Sequence, residues 1–240
     1  MVSRELQLQP RLKCIASLVR QGARLADVGT DHGYLPVWLL QQGRIAQAIA
    51  SDINQAPLDH ARATAAEYGV TAAMDFRLCP GLAGIRAEEC DTIVIAGMGG
   101  ETILSILEDA RWTRDGAHML ILQPQTKVSL LRRWLSENGY RFLEEVLVQD
   151  KGQIYVVLRL AGGEGRRLSE ADALCGVLLQ GDPLYGAYLS AHIEKLRRAE
   201  EGLALSSLPN RDARIRLLCT LRAQLEDRRE KWEHGNGTGD

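Results

Sequence analysis

The chain has 240 residues, of which 45% are hydrophobic and 25% charged, the composition of an ordinary soluble globular protein. Its net charge of −2 gives no overall positive field that would attract a nucleic acid. No apolar run approaches the roughly 18 residues of a membrane span, and no secretion signal is present, so we expect a cytoplasmic protein without membrane contact. Five scattered cysteines without a CxxC pair predict neither a disulfide scaffold nor a metal site.

Residues 1–161 alternate short apolar runs with helical segments. The predicted strands span residues 23–29, 46–52, 74–78, 91–96, 118–122, 140–149 and 153–160. The predicted helices span residues 35–42, 56–68 and 101–110, followed by one that Thr126 caps and Asn138 ends. Alternating strands and helices predict a doubly wound parallel sheet of the Rossmann-like α/β class. The turn Asp150-Lys151-Gly152 predicts a hairpin that adds an antiparallel pair at one edge.

The remainder of the chain has no strand pattern. Glycine-rich residues 161–165 indicate a linker, and Ser169 with Asp172 forms the pattern of a capping box. Two leucine-striped segments, 183–205 and 210–232, predict a helical hairpin of coiled-coil type within a second domain spanning residues 166–232. The glycine-rich tail, residues 233–240, is predicted to be disordered.

The first strand-to-helix turn carries the strongest functional signal. Glycines at this turn let the backbone approach a ligand, and the following helix offers free N–H groups, although a plain connecting turn has the same composition. Asp52 closes the next strand, 23 residues after Gly29, where an acid can accept hydrogen bonds from both hydroxyls of a ribose. The two signals together predict the binding of an adenosine cofactor.

Asp31 favours S-adenosylmethionine over a dinucleotide as that cofactor. It stands where the dinucleotide fingerprint G-x-G-x-x-G has its middle glycine, and a carboxylate there would repel a pyrophosphate. The same carboxylate tolerates a positively charged sulfonium. The closing hairpin also favours a sheet of the methyltransferase type.

Four segments resemble the TrmK family, bacterial methyltransferases that use S-adenosylmethionine to modify N1 of adenine 22 in tRNA. They are residues 27–36 (DVGTDHGYLP), 48–53 (AIASDI), 95–100 (IAGMGG) and 121–124 (ILQP). The resemblance extends to an opening helix at Arg11-Leu12, the closing hairpin and the turn at residues 181–184. It implies a class I methyltransferase domain followed by a helical domain. Pro80 departs from the family, which usually has an acid there, and offers no carboxylate to the cofactor adenine.

Asp31 is the candidate catalytic residue, because a nearby carboxylate can stabilise positive charge developing on adenine or accept the N6 proton. It could also cap the following helix, and the two roles are compatible. His32 could orient Asp31 or bind the cofactor carboxylate, and Tyr34 could pack on the cofactor, on the base or in the core. The candidate cofactor-binding residues are Asp27, Gly29, Asp31, His32, Gly33, Tyr34, Asp52, Ile53, Gly81, Leu82, Ala96 and Gly97.

The predicted substrate site follows the fourth and fifth strands and continues on the helical domain. Its candidate residues are Met98, Gly99, Gly100, Gln123, Pro124, Arg197, Arg198 and Arg214. Residues 97–100 lack the Asp/Asn-Pro-Pro-aromatic motif of enzymes that methylate the adenine amine, which favours N1, and Gln123 could read the adenine edge. Residues 166–231 hold 12 Lys and Arg against 10 Asp and Glu, which is either a solvated surface or a tRNA-phosphate contact.

Two other functions remain open from the sequence. One is a catalytically silent scaffold that binds S-adenosylmethionine and RNA, and the other is an NAD-dependent oxidoreductase. We expect a monomer or a weak homo-oligomer with tRNA as its partner.

Overall fold

The computed structural model describes residues 5–206 and 209–236, which form two compact units, one ending at Arg167 and the other beginning at Leu168. The strands of the first unit are β1 (Leu25–Val28), β2 (Ala48–Asp52), β3 (Met74–Leu78), β4 (Thr92–Gly99), β5 (Met119–Thr126), β6 (Tyr140–Asp150) and β7 (Gln153–Gly162). Its helices are α1 (Pro10–Leu18), α2 (Tyr34–Gln41), α3 (Gln55–Glu67), α4 (Gly100–Asp109) and α5 (Val128–Glu137).

The seven strands form one sheet in the order β3-β2-β1-β4-β5-β7-β6. Strands β1 to β5 run parallel, and β7 pairs antiparallel with both β5 and β6. The predicted α/β class and the antiparallel closing hairpin are confirmed. Because β1 lies between β2 and β4, the order of strands reverses there, and a crevice opens outside the carboxyl ends of these strands.

The central strands are buried on both faces, as expected for parallel strands covered by helices. All four residues of β1 are buried, and so are Ile93, Val94 and Ile95 of β4. On one face, Ile15 and Ala16 of α1 belong to the same core as the β1 and β4 side chains. The ends of β1 and β4 are therefore held by a packed core.

Strands β4 and β5 are longer than predicted, so most of the glycine-rich motif after Ala96 and the motif at residues 121–124 lie within strands. Their pairing continues beyond Ala96 through register shifts on either side of Met98, so the glycine-rich motif lies in a bulged strand end. Thr126 ends β5, and Lys127, at φ 55°, precedes α5 without a side-chain cap. The prediction that Thr126 caps this helix is therefore wrong.

The second unit is helical, with α6 (Glu170–Cys175), α7 (Tyr185–Ala204) and α8 (Arg211–Asn236). The predicted capping box is confirmed, because the Asp172 N–H donates to Ser169 Oγ at 3.1 Å and the Ser169 N–H donates to Asp172 Oδ2 at 3.2 Å. Gly186 near the start of α7 packs on the ring of Trp232 near the end of α8, so these helices are antiparallel.

Helix α8 continues to Asn236, which corrects the predicted disorder for residues 233–236. The rest of the predicted tail, residues 237–240, lies outside the described residues. The coiled-coil geometry of α7 and α8 stays a prediction. Within the described ranges, no helix combines the length and the apolarity of a membrane span.

Candidate active site

A cavity of about 990 Å³ lies at the carboxyl ends of β1, β2 and β4, where the strand order reverses. Doubly wound sheets bind their ligands at this position. Residues predicted from the sequence to bind cofactor or substrate line it: Asp27, Gly29, Asp31, His32, Tyr34, Asp52, Ala96, Gly97 and Met98. The structure thus brings the main sequence motifs together around one cavity.

Asp27 and Asp52 give this cavity a negative character. The Thr30 hydroxyl donates to Asp27 Oδ2 at 2.6 Å, and the Asn54 N–H donates to Asp52 Oδ1 at 2.9 Å. Burial raises the pKa of Asp27 to about 6; the bond from Thr30 opposes the rise, and the charge of Asp52 adds to it. Two acids here fit the positive sulfonium and ammonium groups of S-adenosylmethionine and would repel a pyrophosphate.

The turn between β1 and α2 is built from left-handed backbone. Gly29, Asp31 and Gly33 have φ values of 73°, 51° and 67°, and Asp is among the few side chains that tolerate this region. Gly33 precedes α2, and no side chain caps the helix, so the alternative role of Asp31 as a cap is wrong. The Asp31 side chain is 70% exposed, with Oδ1 3.7 Å from Nε2 of His32. Its carboxylate is therefore available to a ligand.

Met98 lies directly against Gly29. The bulge in β4 turns the Met98 side chain towards the turn, so a Cβ at Gly29 would come within 2.1 Å of the Met98 Cε atom. Only glycine fits this contact at a positive φ. The glycine turn and the bulged end of β4 therefore pack together as one surface of the cavity.

Gln123 is fully buried, and its amide is bonded within the protein. Its Oε1 accepts hydrogen bonds from Arg11 Nη1 at 2.5 Å and from the Gly97 N–H at 3.2 Å, and its Nε2 donates to the Pro124 carbonyl at 3.0 Å. The prediction that Gln123 reads the adenine edge is therefore wrong, because its amide holds the end of β4. Gln125, two residues later, is exposed and lines the cavity.

The N-terminal segment, residues 5–12, forms a wall of the cavity that sequence reasoning missed. The Leu6 N–H donates to Gln41 Oε1 at 3.1 Å, and Gln42 Nε2 donates to Glu5 Oε1 at 3.0 Å, so the segment is tied to the end of α2. Arg11 also lies over the Tyr155 ring, 5.5 Å from its centroid. The family-like Arg11-Leu12 pair was the one signal in the sequence that pointed to this wall.

Several candidates lie outside the cavity lining. Ile53 is 66% exposed beyond the end of β2, and Leu82 is buried. A Cβ at Gly81 would meet the Ile106 side chain at 2.9 Å, and one at Gly100 would meet the Lys127 carbonyl at 2.7 Å, so both glycines serve packing. The other candidates of the first unit that do not line the cavity are Gly33, Gly99, Gln123 and Pro124.

The predicted phosphate-binding arginines belong to the second unit and differ in their partners. Arg197 pairs with Glu194 at 2.8 Å and also with Glu201, and Arg198 pairs with Glu194 at 2.7 Å. These are i,i+3 and i,i+4 pairs along one helix, so they can be predicted from the residue spacing in the sequence. Arg214 is exposed on α8.

The sheet order and the acid-lined cavity at its switch point define a Rossmann-like methyltransferase domain, and the family model described as a methyltransferase domain matches residues 8–158. The chain is 34% identical over 186 residues to the tRNA (adenine(22)-N(1))-methyltransferase of Bacillus subtilis strain 168, covering 78% of this chain and 76% of the relative. The chain belongs to this family, the TrmK family, and the resemblance found in the sequence is confirmed.

Solved structures agree over nearly the whole chain. The crystal structure of the B. subtilis m1A22 tRNA methyltransferase TrmK matches with a TM-score of 0.84 at 28% identity, covering 93% of this chain and 99% of that one. Sp1610 of Streptococcus pneumoniae, solved in complex with S-adenosyl-L-methionine, matches with a TM-score of 0.79 at 31% identity, covering 91% and 97%. The shared fold therefore includes the helical second unit as well as the methyltransferase domain.

Proposed function

We propose that the protein transfers the methyl group of S-adenosylmethionine to N1 of adenine 22 in tRNA. The observation that carries the proposal is the acid-lined cavity at the switch point of a chain that belongs to the TrmK family. Its negative character fits a sulfonium cofactor and disfavours the dinucleotide of an oxidoreductase. Membership of this family also supports tRNA as the partner and the cytoplasm as the location.

The residues of the cavity suit the parts of the cofactor. We expect Asp52, at the end of β2, to accept hydrogen bonds from the ribose hydroxyls, and Gly29, packed against Met98, to form part of the cavity wall. The buried carboxylate of Asp27 favours the positively charged methionine part. We expect Ala96, Gly97 and Tyr34 to complete the binding surface, with His32 at its opening.

S-adenosylmethionine supplies an electrophilic methyl group on a sulfonium. The lone pair of adenine N1 forms the new N–C bond, the S–C bond breaks, and its electrons remain on sulfur. The protein's task is to align these atoms. The product is positively charged at N1 or loses a proton from N6. Asp31 carries an exposed carboxylate at the cavity, and we assign it the stabilisation of that charge or the acceptance of that proton.

The target adenine must leave its stack before N1 can enter the cavity. Tyr34, 41% exposed, offers a ring on which a base can stack. Met98 supplies an apolar contact at the end of β4. The exposed amide of Gln125 takes the role first assigned to Gln123, because an amide matches the donor and acceptor edge of adenine.

We assign a tRNA-phosphate contact to the second unit, with Arg214 as its main candidate. Arg214 is exposed, whereas Arg197 and Arg198 already pair with glutamates on their own helix. Phosphate contacts release counterions, so affinity for tRNA should fall as salt rises. A chain that binds its substrate in this way can act as a monomer or a weak homo-oligomer.

The test is incubation with labelled S-adenosylmethionine and unmodified tRNA, followed by nucleoside analysis and mapping of the label. We expect 1-methyladenosine at position 22 and no label in a matched tRNA carrying guanosine there. Label in another nucleoside would contradict the substrate assignment. Saturable binding of the cofactor without any transfer would identify a silent scaffold instead.

A further inference from the structure

We propose that Asp31, His32 and His60 bind a divalent transition metal ion of the Zn²⁺ type, and that the bound ion inhibits methyl transfer. Each of the three residues offers one ligand atom, and these atoms all lie within 4.8 Å of one another. Residue spacing does not predict this cluster, because His60 follows His32 by 28 residues, which is not the spacing of a metal-ligand motif. The inhibition, unlike the binding, rests on the catalytic role proposed for Asp31.

The fold brings His60 to the turn through a close helix contact. Gly33 packs on α3 so tightly that a Cβ there would lie 3.0 Å from the Ala61 Cβ atom. His60 is the neighbour of Ala61 on α3, and its ring stacks on His32 with centroids 4.9 Å apart and planes 7° apart. Packed backbone elements on both sides, rather than long flexible side chains, therefore set the separation of the two imidazoles.

The ligand set has the chemistry of a zinc site. Imidazole nitrogens and a carboxylate oxygen bind Zn²⁺ at about 2.0–2.2 Å, and three protein ligands leave a fourth position for water. Such bond lengths put neighbouring ligand atoms about 3.3 Å apart around a tetrahedral ion, and Asp31 Oδ1 is already 3.7 Å from His32 Nε2. A metal lies in the plane of each imidazole, so binding turns the stacked rings towards a common point.

The three side chains are open to an incoming ion. Asp31 and His60 are exposed, and His32 is half-exposed. Within residues 5–206 and 209–236, Asp31 pairs with His32, and no Lys or Arg forms an ion pair with its carboxylate. The carboxylate charge offsets part of the charge of a divalent cation.

The position of the cluster makes it inhibitory. Asp31 and His32 line the cavity, whereas His60 lies outside the lining. An ion held by all three would draw the Asp31 carboxylate away from the adenine and neutralise it. Tyr34 stacks on His32 with centroids 5.2 Å apart, so the turned imidazole would also disturb this ring. His60 is thus a ligand that can be removed without deleting a group that faces the substrate.

The binding test is a Co²⁺ titration of the full chain without an affinity tag, followed by visible d–d absorption. We expect one equivalent to bind, and at least tenfold weaker binding in His60→Phe, which keeps a ring for the stack but has no ligand atom. His60→Gln should behave in the same way if the aromatic variant proves unstable. His234→Phe, a change of an exposed histidine on α8, is the matched control and should bind like the parent. Equal affinity in the His60 variants, or thiolate-to-cobalt charge transfer, would overturn the proposed site.

The inhibition test compares tRNA methylation with and without Zn²⁺, each variant against its own metal-free rate. The parent and His234→Phe should lose activity and recover it with EDTA, whereas His60→Phe should need at least tenfold more Zn²⁺. Equal sensitivity of His60→Phe and the parent would contradict the inhibitory role. The cobalt titration needs no turnover, so a chain that binds Co²⁺ through His60 but does not methylate tRNA would refute the proposed function and leave the metal site standing.

Discussion

The cavity has two walls of different construction. The turn wall, residues 29–34, has a fixed backbone with left-handed residues and carries its polar groups at set positions. The N-terminal wall, residues 5–12, is held by side-chain bonds, such as those from Leu6 to Gln41 and from Arg11 to Gln123. From this difference we expect chemistry to depend on the turn wall, and closure of the cavity on the N-terminal wall. Mutations in the two walls should therefore fail in different ways.

The largest expected effect is on the turn wall, at Asp31. Replacing it with alanine should lower the single-turnover rate of methyl transfer at least 100-fold, because a group that stabilises charge or accepts a proton contributes about 10²–10⁴-fold. Asp31→Asn is the matched control for the backbone, since Asn also tolerates the positive φ, and it should be as slow. Thermal unfolding should show both variants folded. A rate near that of the parent would remove Asp31 from the chemistry.

A second effect concerns the charge beneath the turn wall. The pKa of Asp27 is raised from 3.8 to about 6, so the folded protein holds this proton more tightly than the unfolded chain. Stability from this group is therefore present below about pH 4 and is lost as the pH rises through 6, by up to about 3 kcal/mol. Urea unfolding at pH 4.5 and pH 7 should show about 2 kcal/mol of this loss relative to Asp27→Asn, which does not titrate. A parallel pH response of the two proteins would contradict the raised pKa.

The third prediction distinguishes two reasons for glycine at position 29, the close contact with Met98 and the positive φ. In Gly29→Ala the new Cβ atom would clash with Met98 Cε, and alanine would be strained at the positive φ of this position. The variant should therefore lower the free energy of unfolding by about 1–3 kcal/mol and weaken cofactor binding. Adding Met98→Ala removes the clash but leaves the strained φ. We expect the double variant to recover part of the stability in urea unfolding. No recovery would show that the strained φ alone is responsible.

The smallest expected effect is on the N-terminal wall, at Arg11. Arg11→Ala removes one hydrogen bond from the buried oxygen of Gln123 and should destabilise the first unit by about 1–2 kcal/mol. Cofactor affinity should fall several-fold in a calorimetric titration, while the rate of transfer at saturation stays near that of the parent. Arg20→Ala, which removes an ion pair with Asp91, is the control and should change stability by less than about 0.5 kcal/mol. A saturated rate reduced as strongly as in Asp31→Ala would erase the distinction between the walls.

Local patterns predicted most of the sheet, and tertiary contacts explain what they missed. The apolar run identified β4, but the predicted strand stopped at Ala96, because continued pairing with β5 is not encoded locally. The spacing of 23 residues between Gly29 and Asp52 correctly predicted that both residues lie at one site, the cavity. It could not show that Gln123 is bonded to Arg11, since the two lie 112 residues apart. The pairing of Arg197 with Glu194, by contrast, was readable from their separation on one helix.

Arg11 joins the beginning of the first unit to its end, and this has a consequence for folding during synthesis. It bonds to Gln123 of β5, lies over Tyr155 of β7, and its Nε is 3.9 Å from Asp150 Oδ2 at the end of β6. Contacts between such distant parts of a chain form late, because a long loop must close first. A nascent chain that ends before the closing hairpin would therefore carry the complete glycine turn and still lack the Asp150 and Tyr155 contacts that hold Arg11.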